Sequence, residues 1–363
     1  MALSVRIDLP RKDFRLRIDH MFSVKGVTAL FGPSGCGKTS ILRVIAGLEK
    51  GAGTEVIWNG TPWQGGAMMP PHHRRVGYVF QDAQLFSHLN VDANLRFAEK
   101  RATGGDIQRD DVVVTLGIRH LLGRGVADLS GGERQRVSMA RSLLSQPKLM
   151  LMDEPLAALD HRAKAGILPL IQSLPRRFGV PVIYVTHALD EVAQVADSVA
   201  MMKLGEIIDA GPVAAMLERP EMQSLTGRFE AGSILEGTVS AHDMAMHLTQ
   251  VDVGGVPFEM PFLDAPVGTL LRLRVRARDV TLATERPKGI STRNILKGTI
   301  MRLMPEAETA FSEVLIDLGP AHVQARVTHA AVRDLGLSEG SDVFALIKSV
   351  SFDRRALPGV KQR

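Results

Sequence analysis

One cysteine in 363 residues excludes an intrachain disulfide and fits a reducing compartment. No apolar run approaches the roughly 18 residues of a membrane-spanning helix. The opening Met1-Ala-Leu-Ser-Val-Arg-Ile-Asp8 alternates like a strand and lacks the pattern of a signal peptide. Charge of one sign is not in excess either. Lys and Arg number 44 against 39 Asp and Glu, a net +5 with no single long basic run, so charge does not point to nucleic acid. These absences lead us to expect a cytosolic protein, or one held at a membrane by a partner. The length allows two or three domains, each with its own core.

What is present is organised around Gly32-Pro33-Ser34-Gly35-Cys36-Gly37-Lys38-Thr39, which has the spacing of a phosphate loop. Val27–Phe31 before it reads as a buried strand. Ser40 and then Ile41–Gly47 after it read as a helix with one apolar side. The glycines let backbone N–H groups converge on phosphate oxygens, and the helix N-terminus adds unpaired donors and its positive dipole end. Lys38 is expected on the β/γ-phosphates of ATP and the Thr39 hydroxyl on Mg²⁺. Cys36 reads as a small filler, the sharper alternative being a catalytic thiol. Phe14, upstream, either stacks on a nucleotide base or fills the core. His72-His73 has no nearby partners to complete a metal site.

Further apolar runs end in polar residues: Val76–Gln81, Leu149–Glu154 and Pro181–His187. Such strands describe a mainly parallel α/β sheet with its ligand at the carboxyl edge. In phosphate-loop NTPases, an Asp ending an apolar strand holds Mg²⁺ and a following Glu takes a proton from the attacking water; Asp153 and Glu154 suit those roles. Leu129-Ser-Gly-Gly-Glu-Arg-Gln-Arg-Val137 precedes a helix, so Ser130, Gly131 and Gly132 present a hydroxyl and N–H groups to an anion. With this word the chain resembles the ABC-transporter ATPases. The resemblance implies that Gln81 is the Q-loop residue, near both metal and chemistry, that Leu159-Asp160 is the D-loop, and that His187 is the switch histidine. It also implies a homodimer, in which the phosphate loop of one subunit and the signature of the other enclose each ATP. Leu85 and Phe86, after the Q-loop residue, fall where relatives receive a cytoplasmic helix of the permease.

Beyond about Phe229 alternation and turns dominate, and an internal repeat emerges. Ile234–Val239 matches Ile295–Ile300 at an offset of 61, and Gly268…Arg276 matches Gly340…Lys348 at 72, so the second copy carries 72 − 61 = 11 extra residues. Thr328–Leu337 reads as that insert, a short helix capped by Gly336. The expected fold is an α/β phosphate-loop NTPase (ABC ATPase) domain with a helical subdomain, followed by an all-β tandem of small OB-like barrels. The expected bounds are residues 1–230 for the ATPase, with the helical part at about 82–145. The barrels follow at 231–290 and 291–354, and a flexible tail at 355–363. Arg272, Arg274, Arg276 and Arg278 alternate along one strand, as a solvated face or as an anion or RNA stripe. Val275–Val280, Ile290–Thr299 and Ala345–Lys348 resemble the molybdate-binding (Mop/TOBE-like) domains that end molybdate importer ATPases. Ser291, Thr292, Arg293, Asn294 and Lys348 offer donors that suit a tetrahedral dianion. The resemblance implies ATP hydrolysis driving molybdate import through two separate membrane permease subunits fed by a periplasmic or extracellular binding protein. The chain would then sit on the cytoplasmic face of the membrane. Sulfate, tungstate or another solute is the alternative cargo, and a soluble ABC ATPase the alternative class.

Overall fold

A computed structural model describes residues 2–11, 14–51, 53–66, 68–217, 232–306, 309–349 and 352–357. The chain divides into two compact units, Met1–Val213 and Ala214–Arg363. The division falls ahead of residue 230, which itself lies outside the described residues.

In the first unit, β1 (Ala2–Pro10), β2 (Arg15–Ser23), β4 (Glu55–Trp58) and β5 (Thr61–Gln64) form an antiparallel sheet in the order β2-β1-β4-β5. The second sheet contains β3 (Val27–Phe31), β6 (Val76–Val79), β7 (Leu149–Asp153), β8 (Val182–Thr186), β9 (Ser198–Lys203) and β10 (Glu206–Pro212). Its order is β10-β9-β3-β8-β7-β6, and all but the β9–β10 pair run parallel. The unbroken apolar runs follow from burial on both faces. In β7, Leu149 and Leu151 join a core with α1 (Lys38–Ala46) and the first sheet. Met150 and Met152 join a second core under the helices. Those helices are α2 (Val91–Glu99), α3 (Arg109–Thr115) and α4 (Gly131–Leu144), with α5 (His161–Phe178). Another, α6 (Leu189–Val195), follows β8. Helical text was expected from Asp82, but regular helix begins only at Val91, after the Asn90 side chain caps Ala93 N.

The second unit contains β11 (Gly232–Asp243), β12 (Leu248–Val253), β13 (Val256–Pro261), β14 (Leu270–Arg276) and β15 (Val280–Ala283) from the first copy of the repeat. The second copy supplies β16 (Asn294–Pro305), β17 (Phe311–Asp317), β18 (His322–Thr328), β19 (Asp342–Ile347) and β20 (Phe352–Leu357). The insert forms the helix His329–Asp334, followed by Gly336 at φ 61°. The all-β tandem is present, but the copies exchange their last strands. The sheet orders are β13-β12-β11-β14-β20 and β15-β19-β16-β17-β18. The strand at 280–283 thus crosses the expected border at 290, and residues 355–357 of the expected tail are paired with β14. Residues 358–363 lie outside the described residues. The physical reason for the exchange is burial: one apolar cluster runs from Leu235 and Phe258 through Val280 and Leu282 to Val314 and Val343. Two five-stranded sheets sharing one core hide more apolar area than two separate small ones.

Each copy also clamps the other with a buried polar side chain. Ser233 Oγ accepts from Gln324 N at 2.9 Å, and Asn294 Oδ1 accepts from Glu259 N at 2.7 Å. These two residues are 61 apart, the repeat offset. The arginines of β14 do not form a solvated stripe. Arg274 is buried, and Arg272 pairs with Glu236 at 2.8 Å.

Candidate active site

Four sequence-expected features sit at the carboxyl edge of the parallel sheet: the phosphate loop after β3, Gln81 after β6, Asp153–Glu154 at the end of β7 and His187 after β8. Gly37 caps α1 with φ 106°, a backbone region that L side chains avoid. A Cβ there would lie 2.7 Å from Leu16 Cδ1 and 3.5 Å from Phe14 Cε2. Phe14, half-buried, therefore lies against the loop as well as the core. Lys38 is buried and donates to the carbonyls of Gly32 at 2.7 Å and Pro33 at 2.9 Å. Burial pushes the Cys36 thiol up, which fits a filler and not an activated nucleophile.

Thr39 Oγ1 donates to Asp153 Oδ1 at 2.9 Å, and Tyr78 OH donates to Asp153 Oδ2 at 3.1 Å. Burial raises the Asp153 carboxyl above its ordinary value, and these two hydrogen bonds work against it. Burial, then the neighbouring Asp153 charge, raises Tyr78, so its hydroxyl stays a neutral donor. Hydroxyl and carboxylate side by side are hard oxygen donors that suit Mg²⁺.

Glu154 has φ 43°, in the left-handed region, and its N–H donates to Val185 O at 3.1 Å. Such a conformation costs of order 1–3 kcal/mol and persists where neighbours enforce it. It places the carboxylate between two partners: Oε1 is 4.0 Å from Lys38 Nζ, and Oε2 is 3.1 Å from His187 Nδ1. Gln81 is exposed at the same edge.

The signature stands at another place on this unit. Ser130 caps α4 in a reciprocal capping box: its hydroxyl accepts from Glu133 N at 3.3 Å, and Glu133 Oε2 accepts from Ser130 N at 2.7 Å. Those bonds to Ser130 hold the Glu133 carboxyl below its usual range. Asp160 caps α5 by accepting from Ala163 N at 2.8 Å. A cavity of about 450 Å³ is lined by Ser130, Gly131, Gly132 and Asp160 among others.

Phe86 packs on Phe97, centroids 4.5 Å apart, beside the Arg141 guanidinium. Both rings line a groove of about 370 Å³ with Tyr78 and Phe80. Leu85 instead packs against the helical core.

The five oxyanion candidates do not form one donor set. The amide of Asn294 is spent on backbone: Nδ2 donates to Glu259 O at 2.9 Å and Ile347 O at 3.1 Å, and Oδ1 is the clamp described above. With both N–H groups used, it has none for an anion. Arg293 is exposed and bound to Glu259 through Nε at 2.7 Å and Nη2 at 3.2 Å. Ser291 and Lys348 are exposed and Thr292 half-buried. The β16–β19 ladder pairs Asn294 with Ile347, so Arg293 and Lys348 stand one step past its end.

Sequence reasoning missed Tyr78, Lys164 and Glu191. Tyr78 reads as one more apolar strand residue, and Lys164 and Glu191 each lie four residues past a motif residue, Asp160 and His187, on the helix that follows it.

The family model described as ABC transporter matches residues 17–157, and the TOBE domain model matches 290–352. The molybdenum import ATP-binding protein ModC of Albidiferax ferrireducens is 44% identical over 96% of this chain and 96% of its own length. That of Paramagnetospirillum magneticum is 40% identical, over 96% of this chain and 97% of its own length. Among solved structures, cbiO1 from Clostridium perfringens, part of the ABC transporter complex cbiONQ, matches with TM-score 0.53 and 25% identity. The match covers 61% of this chain and 92% of that one.

Proposed function

The chain belongs to the family of molybdenum import ATP-binding proteins, and from that premise we propose that it hydrolyses ATP to drive molybdate through a separate membrane permease. Among the described residues no helix is long and apolar enough to cross a membrane, and we assign the channel to a separate permease chain. The observation that carries the reading is the meeting of Lys38, Glu154 and His187 beside the Thr39–Asp153 pair.

In this reading the loop from Gly32 to Ser40 cradles the phosphates with backbone N–H groups, and Lys38 moves from the Gly32 and Pro33 carbonyls to the β/γ-phosphates. Phe14, beside Gly37, is the ring we assign to stacking on the base. Thr39 and Asp153, with Gln81, would hold Mg²⁺, which neutralises charge on the phosphates when bound. Glu154 takes a proton from the attacking water, and His187 orients that carboxylate from the opposite side to Lys38. Ser130, Gly131, Gly132 and Asp160 face the nucleotide of a second copy, so two chains build two composite sites. We place the dimer on the cytoplasmic face, with two permease subunits and an external binding protein completing the importer. Arg293 and Lys348, with Ser291 and Thr292, are the groups we assign to an oxyanion at the C-terminal unit, with Asn294 holding the strand that carries them.

The test is uptake of labelled molybdate by cells whose own copy is replaced with Glu154→Gln. Turnover is expected to fall about 10²–10⁴-fold, the usual scale for a general base, with ATP still bound and the dimer held closed on gel filtration. ATP hydrolysis at the parental rate would sink the assignment.

A further inference from the structure

Lys164 and Glu191 form an ion pair at 2.9 Å, with the Glu191 side chain 6% exposed. The other Glu191 oxygen accepts from Tyr184 OH and Thr186 Oγ1, both at 2.7 Å. The Thr186 hydroxyl in turn accepts from Ala188 N at 3.0 Å. Thr186 and Ala188 flank His187, so one neighbour of the histidine is bonded to the Glu191 carboxylate and the other is bonded to that neighbour's hydroxyl. Burial and the Glu191 charge push the Tyr184 hydroxyl up, which keeps it a donor.

The lysine end of the pair belongs to α5. Its N–H donates to Asp160 O at 3.0 Å, one turn back at the start of the helix. That start lines the cavity shared with Ser130, Gly131 and Gly132. A second, small cavity of about 40 Å³ is lined by Glu154, Ala157, Lys164, Thr186, His187, Ala188 and Glu191. It exceeds the roughly 10–15 Å³ that one water needs, and its walls are polar enough to hold one. The ion pair therefore borders the Glu154–His187 pair directly and reaches the signature side through one helix.

We propose that Lys164 and Glu191 are positioning residues for ATP hydrolysis: their ion pair fixes the His187 turn against Glu154 and ties it to the helix that opens at Asp160. The side-chain bonds of the pair run to each other, to Tyr184 and to Thr186, and its link to Asp160 is a backbone helix bond, so it acts on the chemistry and not on ATP affinity. A group that holds a catalytic pair in register changes kcat, because misplacement by about 1 Å can cost about 10²-fold. This rests on the reading of the chain as an ATPase, which turnover by the unsubstituted chain tests separately.

The experiment measures kcat and KM for ATP with the full-length chain and its variants. Glu191→Gln and Lys164→Met are each expected to lower kcat about tenfold and leave KM within about twofold, the pattern of an interaction that serves the chemical step. The double variant is expected to be no slower than the slower single one, since either change breaks the same unit. Lys164→Arg, which keeps the charge, is expected to retain at least about half of kcat. Thr186→Val deletes one hydroxyl without burying a charge and is expected to lower kcat about threefold; it decides the matter if Glu191→Gln does not fold. Unchanged kcat in these variants overturns the proposal. So does a loss in which KM rises as kcat falls, or one that multiplies in the double variant.

Discussion

At the scale of single residues, Asp153 shows function set against stability. Its carboxyl is raised by burial, so the folded state binds a proton more tightly than the unfolded one. Stability then falls as pH rises from the unfolded value through the raised folded value, and the whole cost is present above that window. Asp153→Asn removes this cost while keeping an acceptor for Thr39 or Tyr78. Thermal melts of the ATP-free protein are expected to show a higher Tm for the variant at pH 7.5, with the gain shrinking as pH falls to about 4. A variant that melts below the parent at pH 7.5 would contradict the account. With Mg²⁺ and ATP the order is expected to reverse, because binding stabilises only the form that binds. Most of these residues were legible in the sequence because each closes a strand or opens a helix next to its own motif. Tyr78 was not, since its partner Asp153 comes from a strand that only the sheet brings alongside. Asn294 was legible as a polar strand-end residue, yet its use by two backbone carbonyls and one N–H depends on the facing strands.

Among elements, the repeat explains two glycines. A Cβ on Gly237 would lie 2.7 Å from Val251 Cγ1 and 2.8 Å from Asp252 O; one on Gly298 would lie 2.5 Å from Asp317 O. The positions are 61 apart, so the same close strand approach recurs in both copies. Gly298→Val is expected to lower stability by about 1–3 kcal/mol through overpacking, read as a lower midpoint in urea unfolding. A midpoint equal to the parent's would mean that the neighbouring strand moves aside freely. The groove holding Phe86 and Phe97 belongs to this scale too. Arg101 stands 3.6 Å over the Phe97 ring and Arg141 5.2 Å over Phe86, so an apolar floor carries cationic rims. Such a floor suits an amphipathic helix of the permease. Phe86→Asp is expected to abolish molybdate uptake while ATP binding by the isolated chain stays within about twofold, as for a floor residue that serves docking alone. Unchanged uptake in vesicles would remove the groove from the coupling path. The strands of the repeat were legible through alternation, but their partners were not. Alternation fixes which face is buried and says nothing about which sheet a strand joins, so the exchange of β15 and β20 needed the shared core to be seen.

For the molecule as a whole, the question is whether cargo bound at the C-terminal unit feeds back on the ATPase. Arg293 already has a carboxylate partner in Glu259, and that contact raises the guanidinium further above its ordinary value. An oxyanion must compete with Glu259 for it. Calorimetry of the full-length chain with molybdate, tungstate and sulfate is expected to show binding that weakens at least about tenfold in Arg293→Ala, the value of one charge-assisted hydrogen bond. Equal affinity in the variant would take Arg293 out of the site. Any effect on ATP turnover is bounded by how differently the anion binds the two states of the dimer. The division into an α/β unit and an all-β unit was legible from the change in periodicity. The place where one gives way to the other was not, because Gly211-Pro212, the turn signal just before it, ends a strand, and the short helix Val213–Leu217 runs across the division. The exchanged strands also bear on how the polypeptide is made. The first copy's sheet gains its edge at β14 only when β20, near the end of the chain, has been synthesised. Neither copy can therefore mature alone on the ribosome. The second unit waits for its last strand, whereas every described element of the nucleotide-binding unit has emerged by then.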